Sequence, residues 1–139
     1  MDFDLERFVA AQDGVYRQAL AELRRGRKES HWMWFVFPQI AGLGRSATAR
    51  FYGIGSAAEA RAYLAHPLLG SRLAECTQAI LAHRDRSAEA IFGPVDAMKL
   101  KSSMTLFAAV AADPTLFASV LDAFFDGERD PATLALLDG

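Results

Sequence analysis

Ser30-His31-Trp32-Met33-Trp34-Phe35-Val36-Phe37-Pro38-Gln39 gathers both tryptophans, two phenylalanines and one of three histidines into ten residues. A run this apolar must be buried, and His31 and Gln39 then need polar partners. His31 is a candidate for proton transfer, because burial beside aromatic rings tunes an imidazole across neutrality. The plainer reading is a core histidine donating to a backbone carbonyl. Trp32 and Trp34 are candidates for stacking on a planar ligand. On an extended segment they share a face, whereas on a helix they point about 200° apart. Core packing is the rival account, and the run alone does not separate helix from buried strand.

Three further clusters carry polar chemistry. Gly42, Gly44, Arg45 and Ser46 form a glycine-bearing segment with a cation and a hydroxyl. Backbone amides there can hold a phosphate if a helix starts at Ser46, although the spacing matches no phosphate loop or dinucleotide fingerprint and a plain turn also fits. Lys99, Lys101, Ser102, Ser103 and Thr105 fall within one predicted helix. Lys99, Ser102, Ser103 and Leu106 share a side by three- and four-residue spacing, facing either a cleft or a close helix contact. Arg24, Arg25, Arg27 and Lys28 make a basic cluster beside aromatics, read as a nucleic-acid footprint or as solvated cations complementing a helix C-terminus.

Together these residues define a candidate site. His31 and Lys99 are the catalytic candidates. Trp32, Trp34, Gln39, Arg45, Ser46, Ser102 and Ser103 are the ligand-binding ones, with Lys99 and Arg45 supplying charge for an anion. His31 and Lys99 are then expected to reach one shared pocket of roughly 300–1,000 Å³. His66, His83 and Cys76 show no metal-ligand spacing, so no metal and no cofactor is expected.

Composition bounds the rest. The 139 residues fit a single domain spanning 1–139, with 52% hydrophobic and 23% charged residues. A net charge of −2 gives no global attraction to nucleic acid or anionic lipid. Cys76 is the only cysteine, so no internal disulfide forms and a reducing, cytoplasmic home is expected. The acidic start Met1-Asp2-Phe3-Asp4 argues against a signal peptide, and no apolar run approaches the ~20 residues that span a bilayer. Among partners, a small anionic metabolite is favoured, nucleic acid is not, and the chain is expected to be a monomer or weak homodimer.

The elements that must position these groups read as helices. Leu5, Phe8 and Val9 form a short face, and Val15, Tyr16, Ala19, Leu20 and Leu23 continue at helical spacing to Gly26. Ser56-Ala57-Ala58-Glu59 reads as a reciprocal capping box. His66-Pro67 ends that helix and opens another, with Leu69, Leu73, Cys76 and Ile80 on one face. Gly93-Pro94 opens a helix running to about Ala111. Asp113-Pro114 and Asp130-Pro131 each place an N-cap acceptor before a proline at the first helical position, and Gly127 ends the stripe from Leu116 to Phe125. The spacing predicts an all-α domain of about seven to nine short helices. Trp32, Phe35, Phe37, Leu73, Ile80, Met98, Leu106, Phe117, Val120, Leu121 and Phe124 are the expected core.

Three blocks carry a family resemblance. They are His31 to Gln39 with Gly42-Leu43-Gly44 and Ser46; Glu59-Ala60 with Tyr63-Leu64, His66-Pro67, Leu69-Gly70 and Arg72-Leu73; and Ile91-Phe92-Gly93, Asp96, Lys99-Leu100 and Ser102 to Phe107. With them the chain resembles the domain of unknown function 1810, which implies a small, mainly α-helical domain and no established activity. More faintly, Glu59-Ala60, the block from Asp96 to Phe107 and the segment from Asp113 to Leu121 are similar in order to NADAR-type helical domains of NAD and ADP-ribose metabolism. The tryptophan and glutamate signatures of those domains near the C-terminus are missing here. Three function classes follow: a pocket protein for a phosphate-bearing or nucleotide-like small molecule, with or without catalysis; an interaction module presenting an aromatic patch; and a nucleic-acid binder using residues 24–28.

Overall fold

A computed structural model describes residues 3–138. Its helices are α1 (Glu6–Gln12), α2 (Tyr16–Arg25), α3 (Met33–Val36), α4 (Ala47–Tyr52), α5 (Ala57–Ala65), α6 (Leu69–Leu81), α7 (Ala88–Phe92), α8 (Pro94–Val110), α9 (Thr115–Phe125) and α10 (Pro131–Asp138). Seven of these ten have seven residues or more. No strand occurs among the described residues, only an isolated parallel bridge between Ile40 and Ile54. The domain is all-α.

Local chemistry explains most of the boundaries. Pro94 and Pro131 occupy first helical positions, where a missing N–H costs nothing. The Asp130 carboxylate accepts from Thr133 N at 3.3 Å and so caps α10. Asp113 instead accepts from Thr115 N at 3.0 Å, and α9 begins one residue later than the Asp-Pro pattern predicts. Gly26 ends α2 in the left-handed conformation (φ 77°) that a side chain disfavours. The capping box forms only in half. Ser56 Oγ accepts from Glu59 N at 3.1 Å, but the Glu59 carboxylate accepts from Gly55 N (2.8 Å) and from Arg7 (2.9 Å). The return bond therefore comes from one residue before the cap, through Oε1, while Oε2 pairs with the distant Arg7.

The aromatic run resolves into one turn of helix. Val36 N and Phe37 N donate to Trp32 O and Met33 O at 3.1 Å each. Pro38 then stops the turn, since a residue before proline is pushed out of the helical region, and Phe37 sits at φ −122°, ψ 74°. Trp32 is fully buried, and its indole Nε1 donates to Glu22 at 2.9 Å. Glu22 is itself buried and also receives Glu29 N, Ser30 N, Ser30 Oγ and Gln18 Nε2. These bonds turn Trp32 inward and leave Trp34 half-buried.

The core centres on α8, which packs against α5, α7, α9 and α10. Every residue from Ser102 to Ala108 is buried, as expected for a helix enclosed on most sides. Most of the predicted core is present, with Phe35 and Phe124 half-buried at its edge. Met98 is the correction: it is 65% exposed, because it sits on the outward face of α8, whereas Ala97 and Leu100 of the same turns face the core. Tight backbone approach joins α5 to α6, where a Cβ on Gly70 would meet Leu64 O at 2.1 Å.

Candidate functional site

One cleft brings together four of the nine site candidates, Trp34, Gln39, Lys99 and Ser102. It encloses about 310 Å³ between the first turns of α8, the segment from Trp34 to Gly44 and the start of α10. Trp34, Gln39, Leu43, Lys99, Ser102 and Asp130 line it, and Val95 and Met98 stand at its rim. A smaller depression adjoins it, sharing Trp34, Gln39, Leu43 and Gly44 and reaching Tyr52. Gln39 is fixed from behind. Its carbonyl accepts from Ile54 N, and Ala41 N donates to Ile54 O, both at 2.8 Å.

The cleft is lined by one cation, Lys99, and one carboxylate, Asp130. Lys99 Nζ lies 3.8 Å from the centre of the Trp34 ring and 3.3 Å from Asp96 Oδ1. Asp96 Oδ2 is shared with Lys28 Nζ at 2.9 Å, so one carboxylate faces two ammonium groups. Counting Asp130 on the cleft wall, two ammonium groups face two carboxylates, and Lys99 is the cation that lines the cleft. Lys28, only 7% exposed, also donates to Ser30 O (2.6 Å) and covers the Trp32 ring, which ties the aromatic run to α8.

Ser102, one turn beyond Lys99 on α8, brings a hydroxyl to the cleft. Ser102 Oγ lies 3.0 Å from Asp130 Oδ2 and 3.2 Å from Met98 O. A hydroxyl has one proton to donate, and the charged acceptor is the stronger claim on it. Thr105 Oγ1 donates to Lys101 O (2.8 Å) and accepts from Asp130 N (2.9 Å). The hydroxyls of α8 therefore pin the 128–133 segment against the helix. Ser103 does not reach the cleft. Its Oγ is buried without a hydrogen-bond partner among the described residues, in keeping with a small side chain at a close helix contact.

Other candidates fall outside the cleft. His31 is exposed and does not line it, so the expected pairing of His31 with Lys99 in one pocket is not formed. The reason is the inward turn of Trp32, which leaves its neighbour facing solvent. Trp32 is core. Arg45 is exposed, and Ser46 spends its hydroxyl capping α4 by accepting from Ala49 N at 3.1 Å. Of the basic cluster, Arg24, Arg25 and Lys28 sit beside Glu75 (3.5 Å), Glu29 (3.9 Å) and Asp96. Asp130 was missed as a site residue because its Asp-Pro pattern accounts for it fully as a cap. Val95 and Met98 carried no polar signal at all.

No group of three or more His, Cys, Asp or Glu side chains among the described residues could hold a metal ion. No helix there is long and apolar enough to cross a membrane. The family model described as a protein of unknown function (DUF1810) matches residues 2–137. The chain belongs to the DUF1810 family. It is similar to the crystal structure of the conserved hypothetical protein Rv1873 from Mycobacterium tuberculosis, with 54% identity and a TM-score of 0.97 over 99% of this chain and 98% of that one. No curated protein matches this DUF1810 chain. The similarity extends the fold, and no activity comes with it.

Proposed function

We propose that the cleft binds a small anionic molecule with a planar part, nucleotide-like in its chemistry. The observation that carries this reading is the Lys99 ammonium held over the Trp34 ring, beside Gln39 and Ser102, in one concavity of about 310 Å³. Such a volume stands at the small end of ligand pockets, which suits a mononucleotide-sized ligand. An arriving anionic group competes with Asp96 for Lys99. Moving Nζ off the ring then frees a π face for the planar part, at the cost of a cation–π contact of about 1 kcal/mol. No catalytic role is assigned: the Asp130 carboxylate beside the Ser102 hydroxyl is taken up in capping α10 through Thr133.

The test is titration of the wild type and of Lys99→Met with adenosine and guanosine monophosphates, against the parent nucleosides, following thermal midpoint and tryptophan emission. A Trp34→Phe variant separates the two indoles. Binding to the native state raises the midpoint by mass action. Loss of the charged hydrogen bond should weaken the phosphate-bearing ligands by about 10- to 100-fold, with the nucleosides bound no more weakly than by the wild type. Equal responses in wild type and Lys99→Met, or no response to any nucleotide, would overturn the reading.

A second reading has its own observation. Val95 (67% exposed) and Met98 (65% exposed) lie three apart at the cleft rim, an apolar edge of the kind an interaction module presents. The nucleic-acid reading is weaker, since three of its four cations have carboxylates beside them.

A further inference from the structure

A second concavity, of about 430 Å³, lies on a different part of the surface and shares no lining residue with the cleft. It is bounded by the Asp13-Gly14 turn, by Tyr16, Arg17 and Leu20 of α2, and by Gln12 and Arg72. Arg72 is half-buried in its wall and is held in two ways. Its guanidinium carbon lies 4.6 Å from the centre of the Tyr16 ring, and Nη1 donates to Gln12 Oε1 at 3.2 Å. Gln12 is in turn fixed, 1% exposed, with Nε2 donating to Phe35 O (2.7 Å) and Tyr63 Oη (3.2 Å).

What Arg72 lacks is an anion. A guanidinium carries five N–H donors, and the bond to Gln12 uses one. No carboxylate lies within ion-pair distance of it among the described residues. The nearby Glu75 is engaged by the Tyr16 hydroxyl and by Arg24. Burial, and then the bond to Glu75, push the Tyr16 phenol above its ordinary value, so it stays neutral and adds no charge. Arg17 and Arg72 against Asp13 leave the concavity one positive charge in excess. A planar, oriented fork of free donors is the arrangement that grips a carboxylate or phosphate through two parallel bonds.

We propose that this concavity is a second ligand site, an oxyanion pocket in which Arg72 takes a carboxylate or phosphate group in bidentate fashion and Arg17 closes over it. Tyr16 and Gln12 are positioning residues that hold the guanidinium plane. The proposal is independent of the cleft, and its readouts lie on different residues.

The test is a nuclear magnetic resonance titration of the full chain with sodium phosphate, sodium acetate and sodium chloride at equal ionic strength. It follows the Arg72 Nε–H and the amides of Gly14 and Arg17. The expected result is a saturable shift with phosphate or acetate and none with chloride; which of the two saturates first identifies the oxyanion. Arg72→Lys keeps the charge but not the fork, and should weaken the effect by about 10-fold or more. Arg17→Ala should weaken it less, while Lys99→Met should leave it unchanged. A retained thermal midpoint in Arg72→Lys shows that the loss is not unfolding; a lowered midpoint is answered by Arg17→Ala, which perturbs only an exposed arm. Non-saturating shifts equal for all three salts, or an undiminished response in both arginine variants, would overturn the proposal.

Discussion

Replacing Glu22 tests whether a buried carboxylate, rather than the aromatic rings themselves, sets the course of the 30–37 segment. Oε1 receives Glu29 N (2.8 Å), Ser30 N (3.0 Å) and Trp32 Nε1 (2.9 Å), and Oε2 receives Ser30 Oγ (2.6 Å) and Gln18 Nε2 (3.2 Å). Burial by itself would raise the carboxyl, but the donors from Ser30, Glu29 and Trp32 outweigh it and hold Glu22 at about 2, against an ordinary 4.5. That difference is worth about 3 kcal/mol of folding stability at neutral pH. Because the folded value is the depressed one, the contribution is complete above about pH 4.5 and is lost as pH falls toward 2. Glu22→Gln keeps an acceptor for Trp32 but has no charge to titrate. Between about pH 6 and about pH 3 the wild type should therefore lose about 2 kcal/mol more than Glu22→Gln, measured by urea unfolding with tryptophan emission. Glu22→Ala also strands the Trp32 indole, and should cost about 4 kcal/mol at neutral pH. Parallel pH profiles for wild type and Glu22→Gln would refute the reasoning.

Phe117, buried in the core, should cost about 3–4 kcal/mol on truncation to Ala, whereas half-buried Phe124 should cost about half as much; equal urea midpoints for the two variants would contradict the burial difference. Gly70→Ala drives a Cβ to 2.1 Å from Leu64 O, so α5 and α6 must part, and a lowered thermal midpoint is expected. Ala in place of the exposed Gly14, where φ is +78° but nothing lies within 4 Å, adds strain without a clash and should cost less. The Cys76 thiol, buried and pushed up to about 12, should resist thiol-specific reagents in the native state and react only as fast as the chain opens; rapid stoichiometric labelling of folded protein would place it at the surface.

Much of this structure is local physics and was legible as such. Pro94, Pro131, Gly26 and the face formed by Leu69, Leu73, Cys76 and Ile80 act within one or two turns of themselves, so helix positions follow from short-range sterics and hydrogen bonding. Where a distant partner competes, local reading stops short. Glu59 commits one carboxylate oxygen to Arg7, 52 residues away, and its local bond comes from Gly55 N rather than Ser56 N.

The candidate site divides along the same line. Trp34, Gln39, Lys99 and Ser102 were visible as polar or amphipathic residues embedded in apolar blocks. Which of them share a cleft was decided by rotation about a single helical turn. Glu22 pulls Trp32 into the core, the next side chains turn with it, and Trp34 meets Lys99 while His31 is left in solvent. Asp130 joins because hydroxyls on α8, 25 and 28 residues away in sequence, fasten its loop. Arg72, without an ion-pair partner among the described residues, is held in place by Gln12 and Tyr16, 60 and 56 residues earlier. Residue type determined which side chains can bind an anion; the packing of distant helices decided which of them face one.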